Sequence, residues 1–143
     1  MKRRRVVAYV TRERNGRTEL LVFEDPEHPY LGVQVPAGRL DPDEELEAGL
    51  LREIAEEAGL TNAQIVRELP GFEDHYPSWY ENHGFHVVLE EGAPDEWEHV
   101  VLGQGDDAGL TFHFRWLPIS PDLHLFGRPH PVLASLAKPI EEV

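Results

Sequence analysis

The chain has 143 residues, 41% of them hydrophobic, and this length and composition predict one domain over residues 1–143 with a sizeable core. The absence of cysteine excludes disulfides, thiolate metal sites and a cysteine nucleophile. A formal net charge of −14 argues against a general nucleic-acid-binding surface.

The N-terminal segment is basic and is followed by no long apolar stretch. Residues 1–17 hold seven Lys and Arg side chains against Glu13 alone, a net charge of +6, so the rest of the chain carries −20. Because no apolar signal segment and no run of 18 apolar residues is present, we expect a cytoplasmic protein without a membrane partner. The basic segment either helps to hold a polyphosphate or protects an edge strand through its charge.

The first predicted elements are two strands joined by a hairpin turn. Residues 6–11 and 19–23 have strand character, and Asn15-Gly16 between them is typical of a tight turn. A short strand is predicted next, at residues 31–35, and it leads into Pro36-Ala37-Gly38.

A helix is predicted to begin at Asp41. Asp41 can cap the helix, Pro42 suits its first turn, and Glu44 lies three residues after the cap, as in a capping box. An apolar stripe then recurs every four residues, at Leu46, Leu50, Ile54 and Ala58. Gly59 is expected to end the helix in a left-handed conformation.

Three glutamates share one face of this predicted helix. Glu53, Glu56 and Glu57 stand at i, i+3 and i+4, and such clustering of like charges is unfavourable unless something neutralises it. A hard divalent cation with oxygen ligands would do so, and no histidine pair suggests a nitrogen-based site. The alternative is a solvated acidic face on which Arg52 pairs with Glu56 at i,i+4.

The remaining predicted elements are mostly strands. They occupy residues 64–69, 85–89, 98–102 and 110–117, and a second helix begins near His130-Pro131 and runs through Leu133, Leu136 and Ala137. This order of elements predicts an α/β or α+β sandwich with helices on both faces of a mixed sheet.

Residues 38–60, called the box below, resemble the signature of the Nudix hydrolases. Gly38 is followed after five residues by Glu44, and seven residues later the chain reads Arg-Glu-Ile-x-Glu-Glu-x-Gly-Leu. The resemblance implies an α/β/α sandwich with a mixed sheet, in which the box forms a loop, a helix and a loop. It also implies Mg²⁺-dependent cleavage of a nucleoside diphosphate linked to another group, such as a nucleotide sugar, a dinucleoside polyphosphate or a (d)NTP.

The same resemblance assigns roles to the acidic residues. Glu53, Glu56 and Glu57 would bind Mg²⁺, or Mn²⁺ in its place, together with the backbone carbonyl of Ala37. Arg52 would orient Glu53 or Glu56, and Glu44 would either position metal-bound water or serve only as a cap. The general base stays open between Glu53 and a carboxylate on a distant loop, for which the candidates are Glu96, Glu98, Asp106 and Asp107.

Substrate recognition is expected outside the box. An aromatic stretch follows residue 71, and Tyr76, Trp79 or Tyr80 could stack a nucleobase, while Arg39 could bind a phosphate. Alternatively, these aromatic side chains pack under a loop or at the surface of a homodimer. Ala37 stands where a second glycine often precedes Gly38, and this variant is similar to family members that act on ADP-ribose and other nucleoside diphosphate sugars.

Two other functions compete with hydrolysis of a small nucleotide. One is a catalytically silent Nudix-type domain that binds or senses a nucleotide. The usual cause of such silence is loss of the box carboxylates, and all of them are present here. The other is a non-enzymatic acidic domain whose glutamate helix binds cations or a basic partner.

Overall fold

The computed structural model describes residues 3–74, 79–121, 123–125, 130 and 132–136. The elements are, in chain order, β1 (Arg3–Arg14), β2 (Arg17–Glu24), a turn of 3-10 helix (Pro29–Leu31), β3 (Ala37–Arg39), α1 (Leu46–Ala58), β4 (Ala63–Glu68), β5 (Phe72–Asp74), β6 (Tyr80–Leu89), β7 (Glu96–Val100), β8 (Thr111–Pro118) and α2 (Leu133–Leu136). No helix in these described ranges is long and apolar enough to cross a membrane.

The strands form one mixed sheet. Their order is β4-β6-β1-β2-β8-β7, with β3 paired to β1 and β5 paired to β6. The β1–β6 pair is parallel and the other pairs are antiparallel. The predicted hairpin turn is confirmed, since Asn15 and Gly16 both have positive φ, as a type I′ turn requires.

The sheet is covered on both faces, as predicted. Val6, Ala8 and Val10 of β1 point toward α1 and share a core with its apolar stripe. Val7 and Tyr9 point to the opposite face and pack with Leu136 of α2 and neighbouring loop residues. This alternation along one strand follows from the two-residue period of the β conformation. The mixed sheet between two outer layers is the architecture that the sequence predicted.

The predicted strand at residues 31–35 is wrong. The chain is still in the 3-10 turn at Leu31, and Gly32 then adopts a positive φ of 62°. Only Gln34 pairs with a strand, through an isolated bridge to Phe23, and regular pairing resumes at β3. The apolar side chains of this segment therefore serve packing rather than a continuous ladder.

The predicted helix start at Asp41 is also wrong. Helix α1 begins at Leu46, and Glu45 at its N-cap makes no side-chain capping bond. Residues 41–44 form a separate turn, in which the Asp41 N–H donates to Glu44 Oε1 over 3.2 Å. The Arg4 guanidinium donates to the carbonyls of Asp41, Pro42 and Glu44 at 2.9–3.0 Å, and these bonds hold residues 41–44 in the turn.

The rest of the helix agrees with its sequence pattern. Leu50, Ile54 and Ala58 are buried, and Leu46 packs against the same cluster. Gly59 ends the helix with a φ of 74°, the left-handed conformation that glycine adopts without strain. The polar face of α1 is thereby turned toward the box loop.

Candidate active site

A cleft of about 750 Å³ lies where α1, β3 and the loop between β7 and β8 meet. This volume is within the range of small-molecule sites in proteins. Its lining comprises Arg5, Gly38, Arg39, Leu40, Asp41, Arg52, Glu53, Glu56, Glu57, Tyr80 and residues 101–108. The three glutamates and the arginine that the box pattern singled out are therefore brought to one cavity.

Two glycines allow the neighbouring loops to approach these glutamates. A Cβ atom on Gly38 would overlap the Glu53 carboxylate, which would then have to turn away from the box loop. A Cβ atom on Gly103 would lie 2.7 Å from Glu56 Oε2, and its φ of +94° also favours glycine. The box sequence indicated Gly38, whereas Gly103 becomes recognisable only when the loop is placed on α1.

Arg52 joins three carboxylates. Its Nε and Nη2 donate to the two oxygens of Glu44 at 2.6 and 2.7 Å, a bidentate contact. Its Nη1 donates to Glu53 Oε1 and Glu56 Oε2, each at 3.0 Å. The hydrogen bond with Glu44 raises the pKa of Arg52, and the same bond lowers the pKa of Glu44. Glu44 thus fixes the guanidinium from which Glu53 and Glu56 accept.

Glu57 differs from Glu53 and Glu56 because its carboxylate does not contact Arg52. Its side chain is buried, with 4% of the residue exposed, and its Oε1 accepts from the Ala37 N–H at 3.4 Å. Within the described ranges, no lysine, arginine or histidine lies within ion-pair distance of this carboxylate. Burial raises its pKa well above the ordinary value, and the charges of Glu53 and Asp107 raise it further.

Two more carboxyl groups at the cleft have raised pKa values. Burial raises the pKa of Glu53 to about 7, although Arg52 acts in the opposite direction. Burial also raises the pKa of Asp107, and the charges of Asp106 and Asp25 add to the shift, although part of the Asp107 surface stays accessible. Several perturbed carboxyl groups around one cleft are typical of functional sites.

The predicted ligand Ala37 lies beside Glu57. Residues of β3 pair with β1, and the Ala37 N–H points away from that pairing, toward the Glu57 carboxylate. In an extended strand the N–H and C=O of one residue point to the same strand edge, so the Ala37 carbonyl faces this side as well. Its role as a ligand stays a prediction.

The predicted ligand atoms are all of the type that binds a hard cation. Three carboxylates and a carbonyl are all-oxygen ligands, and Glu57 is a buried anion without a cationic partner in the described part of the chain. As the side chains stand, no three Asp, Glu or His residues in the described ranges are arranged to hold a metal ion. Arg52 engages Glu53 and Glu56 instead, so binding a cation requires these two side chains to turn toward Glu57.

Of the site residues that were predicted outside the box, some line the cleft and others do not. Asp106, Asp107, Arg39 and Tyr80 line the cleft, whereas Glu96, Glu98 and Trp79 do not. Glu96 and Glu98 lie exposed on the edge strand β7, and Tyr76 lies outside the described residues.

Tyr80 lines the cleft without an open ring face. Only 3% of the residue is exposed, and the Arg5 guanidinium carbon lies 4.0 Å from the ring centroid. A nucleobase therefore cannot stack on this ring as the side chains stand. The exposed Trp79 could offer a ring surface, but it lies away from the cleft lining.

Strand β7 and the residues after it form hydrogen bonds with the last turn of α1. The carbonyl of Glu56 accepts from the Leu102 N–H at 2.9 Å and from His99 Nε2 at 3.0 Å. The indole N–H of Trp97 donates to the carbonyl of Ala58 at 2.9 Å. These bonds satisfy carbonyls that a helix end leaves without partners, and they hold Glu56 and Glu57 against the sheet.

We expect Trp97→Phe to lower both the stability of the protein and the kcat of the hydrolysis that the box pattern predicts. The change removes the bond to Ala58 and costs about 1 kcal/mol of unfolding free energy, while a phenyl ring can still stack on Phe114. Trp116→Phe is the matched control, because its indole N–H donates to the Pro94 carbonyl at 3.0 Å, away from the cleft. Similar destabilisation in both variants with equal loss of kcat would contradict a positioning role for Trp97.

Comparison with known proteins places this architecture in a family. Residues 1–123 match the family model of the NUDIX domain. The fold is similar to that of the Caenorhabditis elegans Ap4A hydrolase, with 18% identity, a TM-score of 0.57 and coverage of 83% of this chain and 82% of that one. It is also similar to the NUDIX domain of Shewanella oneidensis NrtR complexed with ADP ribose, with 19% identity, a TM-score of 0.54 and coverage of 82% and 73%.

At these identities the solved structures establish the fold, and no curated protein matches the chain significantly. The family model, in contrast, spans most of the sequence and includes the whole box. The chain therefore belongs to the NUDIX domain family, the Nudix hydrolases, which act on pyrophosphate bonds and generally use a divalent metal ion.

Proposed function

We propose that this protein is a Mg²⁺-dependent pyrophosphohydrolase that cleaves a nucleoside diphosphate linked to another group. The observation that carries the proposal is Glu57, a buried carboxylate with a raised pKa and no cationic partner in the described part of the chain. It lies beside Glu53 and Glu56 in a cleft large enough for a nucleotide. Such an arrangement is unfavourable for folding and is therefore explained better by a ligand than by stability.

Glu53, Glu56 and Glu57, with the Ala37 carbonyl, would hold Mg²⁺, and Mn²⁺ could replace it. When bound, the cation would neutralise the oxygens of the pyrophosphate and lower the pKa of a water molecule. Arg52 would orient Glu53 and Glu56 through the hydrogen bonds that it donates to both, because Glu44 anchors its guanidinium from the other side.

Asp107 is the best placed of the distant candidates for the general base. It lines the cleft, it is close enough to raise the pKa of Glu57, and its own raised pKa makes it a stronger base than an ordinary aspartate. A water oxygen would attack one phosphorus as its proton passes to the Asp107 carboxylate, and the bridging P–O bond would break with its electron pair leaving on the departing phosphate.

Asp107→Asn is expected to lower kcat by about tenfold, because the amide cannot accept the proton. The loss should be smaller than that for a ligand residue, since the variant keeps every side chain that is proposed to hold the cation. Asp106→Asn, which removes the same charge from the adjacent position, is the control. Steady-state kinetics at pH 8 that show equal losses for the two variants would argue against Asp107 as the base.

The proposed activity is tested by chromatographic detection of the two cleavage products from each member of a nucleotide panel, with and without Mg²⁺. The panel should contain dNTPs, nucleoside diphosphate sugars, dinucleoside polyphosphates and capped RNA. Ap4A and ADP-ribose deserve inclusion, because one similar structure is an Ap4A hydrolase and another holds ADP ribose. Metal-dependent turnover of any member supports the proposal. Binding without turnover on the entire panel would favour the nucleotide-sensing alternative.

A further inference from the structure

Arg4 connects strand β1 to the turn at residues 41–44, which directly precedes α1. Its side chain leaves β1 on the face that packs against α1, as the even-numbered residues of this strand do. Its Nη2 donates to the carbonyls of Asp41 and Pro42 at 3.0 Å and to that of Glu44 at 2.9 Å. The Arg4 carbonyl accepts from the Leu40 N–H at 3.0 Å. Arg4 therefore holds the segment between β3 and α1 against β1.

These bonds take the place of a local cap on α1. Glu45, at the N-cap position, makes no side-chain hydrogen bond there. Among the residues that the structure describes, no carboxylate lies within ion-pair distance of Arg4, and the acceptors of its guanidinium are the carbonyls of the turn. An ordinary ion pair therefore does not account for the position of this side chain, whereas the turn does.

The turn determines where the Glu44 carboxylate lies. Arg4 binds the backbone carbonyl of Glu44, and the carboxylate of the same residue accepts from Arg52 at 2.6 and 2.7 Å. Gly49 permits the close approach of this segment to α1, because a Cβ atom there would overlap the Leu40 side chain and lie 3.1 Å from the Glu44 carboxyl carbon. Glycine inside a helix is unfavourable relative to alanine, and this packing explains its presence.

Arg52 links Glu44 to two glutamates of the box. Its Nη1 donates to Glu53 Oε1 and Glu56 Oε2, each at 3.0 Å, so that one oxygen of each carboxylate has no contact with Arg52. A guanidinium group is planar and rigid, and the bidentate contact with Glu44 on one edge therefore fixes the direction of the Nη1 hydrogens. A displacement of the turn would change the orientation of both carboxylates.

We propose that Arg4, which lies outside the box, positions the box glutamates through Glu44 and Arg52. The inference rests on the proposed function where it concerns the cation that these glutamates would hold. Arg4 contacts neither the glutamates nor the cleft lining, so it is a positioning residue and not a catalytic one. Removal of a group that orients metal ligands typically lowers metal affinity or activity by about ten- to a hundredfold.

The Arg4→Ala variant tests the first step without metal or substrate. The Arg52 Nε–H donates to Glu44 Oε2 over 2.6 Å and is therefore expected to exchange slowly with solvent in the wild type. We expect this exchange, measured by NMR on the metal-free protein, to become about tenfold faster in Arg4→Ala, as the loss of one hydrogen bond predicts. Arg4→Lys keeps the charge but not the planar fork and should give an intermediate rate. An unchanged rate in Arg4→Ala would overturn the inference.

Arg12→Ala is the matched control on the same strand. The Arg12 guanidinium also joins distant segments, since it donates to Glu19 at 2.7 Å and to Asp95 at 2.8 Å, but it does not line the cleft. Both variants should have a lower Tm than the wild type, because each loses hydrogen bonds between segments. The exchange of the Arg52 Nε–H should be unchanged in Arg12→Ala. Equal acceleration in the two variants would indicate a general loss of stability and would overturn the inference.

Binding of Mn²⁺, measured by calorimetry, tests the second step. We expect Kd to rise about tenfold in Arg4→Ala and less than about twofold in Arg12→Ala. In a Glu44→Gln background, Arg4→Ala should add less than about twofold, because the route through Glu44 is already interrupted. Additive losses, or tighter binding in Arg4→Ala, would overturn the inference. If the wild type binds no Mn²⁺ while the Arg52 exchange responds as expected, the proposal of cation-dependent hydrolysis fails and the positioning role of Arg4 stands.

Discussion

Glu57→Gln is expected to lower kcat on the order of 10³-fold, and Glu53→Gln at least about 10²-fold. Glutamine keeps the size of the side chain but removes the negative charge from the group that would bind the cation. The larger effect is assigned to Glu57, because its carboxylate is buried and has no arginine partner that could compensate for a misplaced ion. Steady-state kinetics at saturating Mg²⁺ and nucleotide would measure both losses.

Glu47→Gln provides the matched control on the same helix. Glu47 lies in the first turn of α1, is exposed and does not line the cleft. We expect wild-type kcat from this variant. Wild-type rates in both Glu53→Gln and Glu57→Gln would contradict the roles assigned to the cleft carboxylates, whereas losses in all three variants would indicate a general effect of charge.

The helix that carries the site could be predicted because its determinants are local. The spacing of Leu50, Ile54 and Ala58 specifies which face is buried, and Gly59 specifies where the helix ends. The same spacing places the three glutamates beside that face without any knowledge of the sheet. Its first residue could not be predicted, because the turn at residues 41–44 is held by Arg4, which is distant in sequence.

The other half of the site depends on contacts between distant segments. Arg5, Arg39 and Tyr80 come together because β3 and β6 both pair with β1, and no pattern within one segment of the sequence specifies that pairing. The same dependence on distant segments explains why Tyr80 could not be judged from the sequence. Its aromatic ring is of a kind that stacks on nucleobases, but its neighbours bury it. The choice of Asp107 over Glu98 among the acidic candidates likewise required the course of the loop between β7 and β8.

The raised pKa values predict a second effect of the glutamine variants, on stability. Burial raises the pKa of Glu53 from its ordinary 4.5 to about 7, and it raises that of Glu57 as well. Between these pH values the folded protein binds more protons than the unfolded chain. The free energy of unfolding of the metal-free protein should therefore fall as the pH rises from about 4.5 through 7. The carboxylates that are proposed to serve catalysis thus destabilise the empty site.

We expect Glu57→Gln to be more stable than the wild type in EDTA at pH 8, by about 2 °C or more in Tm, and the difference to shrink toward pH 4.5. Mg²⁺ should reverse the order at pH 8, because a ligand that binds the folded state stabilises the wild type and not the variant. Thermal unfolding with and without Mg²⁺ measures both effects, with Glu47→Gln as the control. A variant that is less stable than the wild type in EDTA at pH 8 would show that Glu57 has a favourable partner in the folded protein. A Tm that Mg²⁺ raises equally in both proteins would place the cation elsewhere.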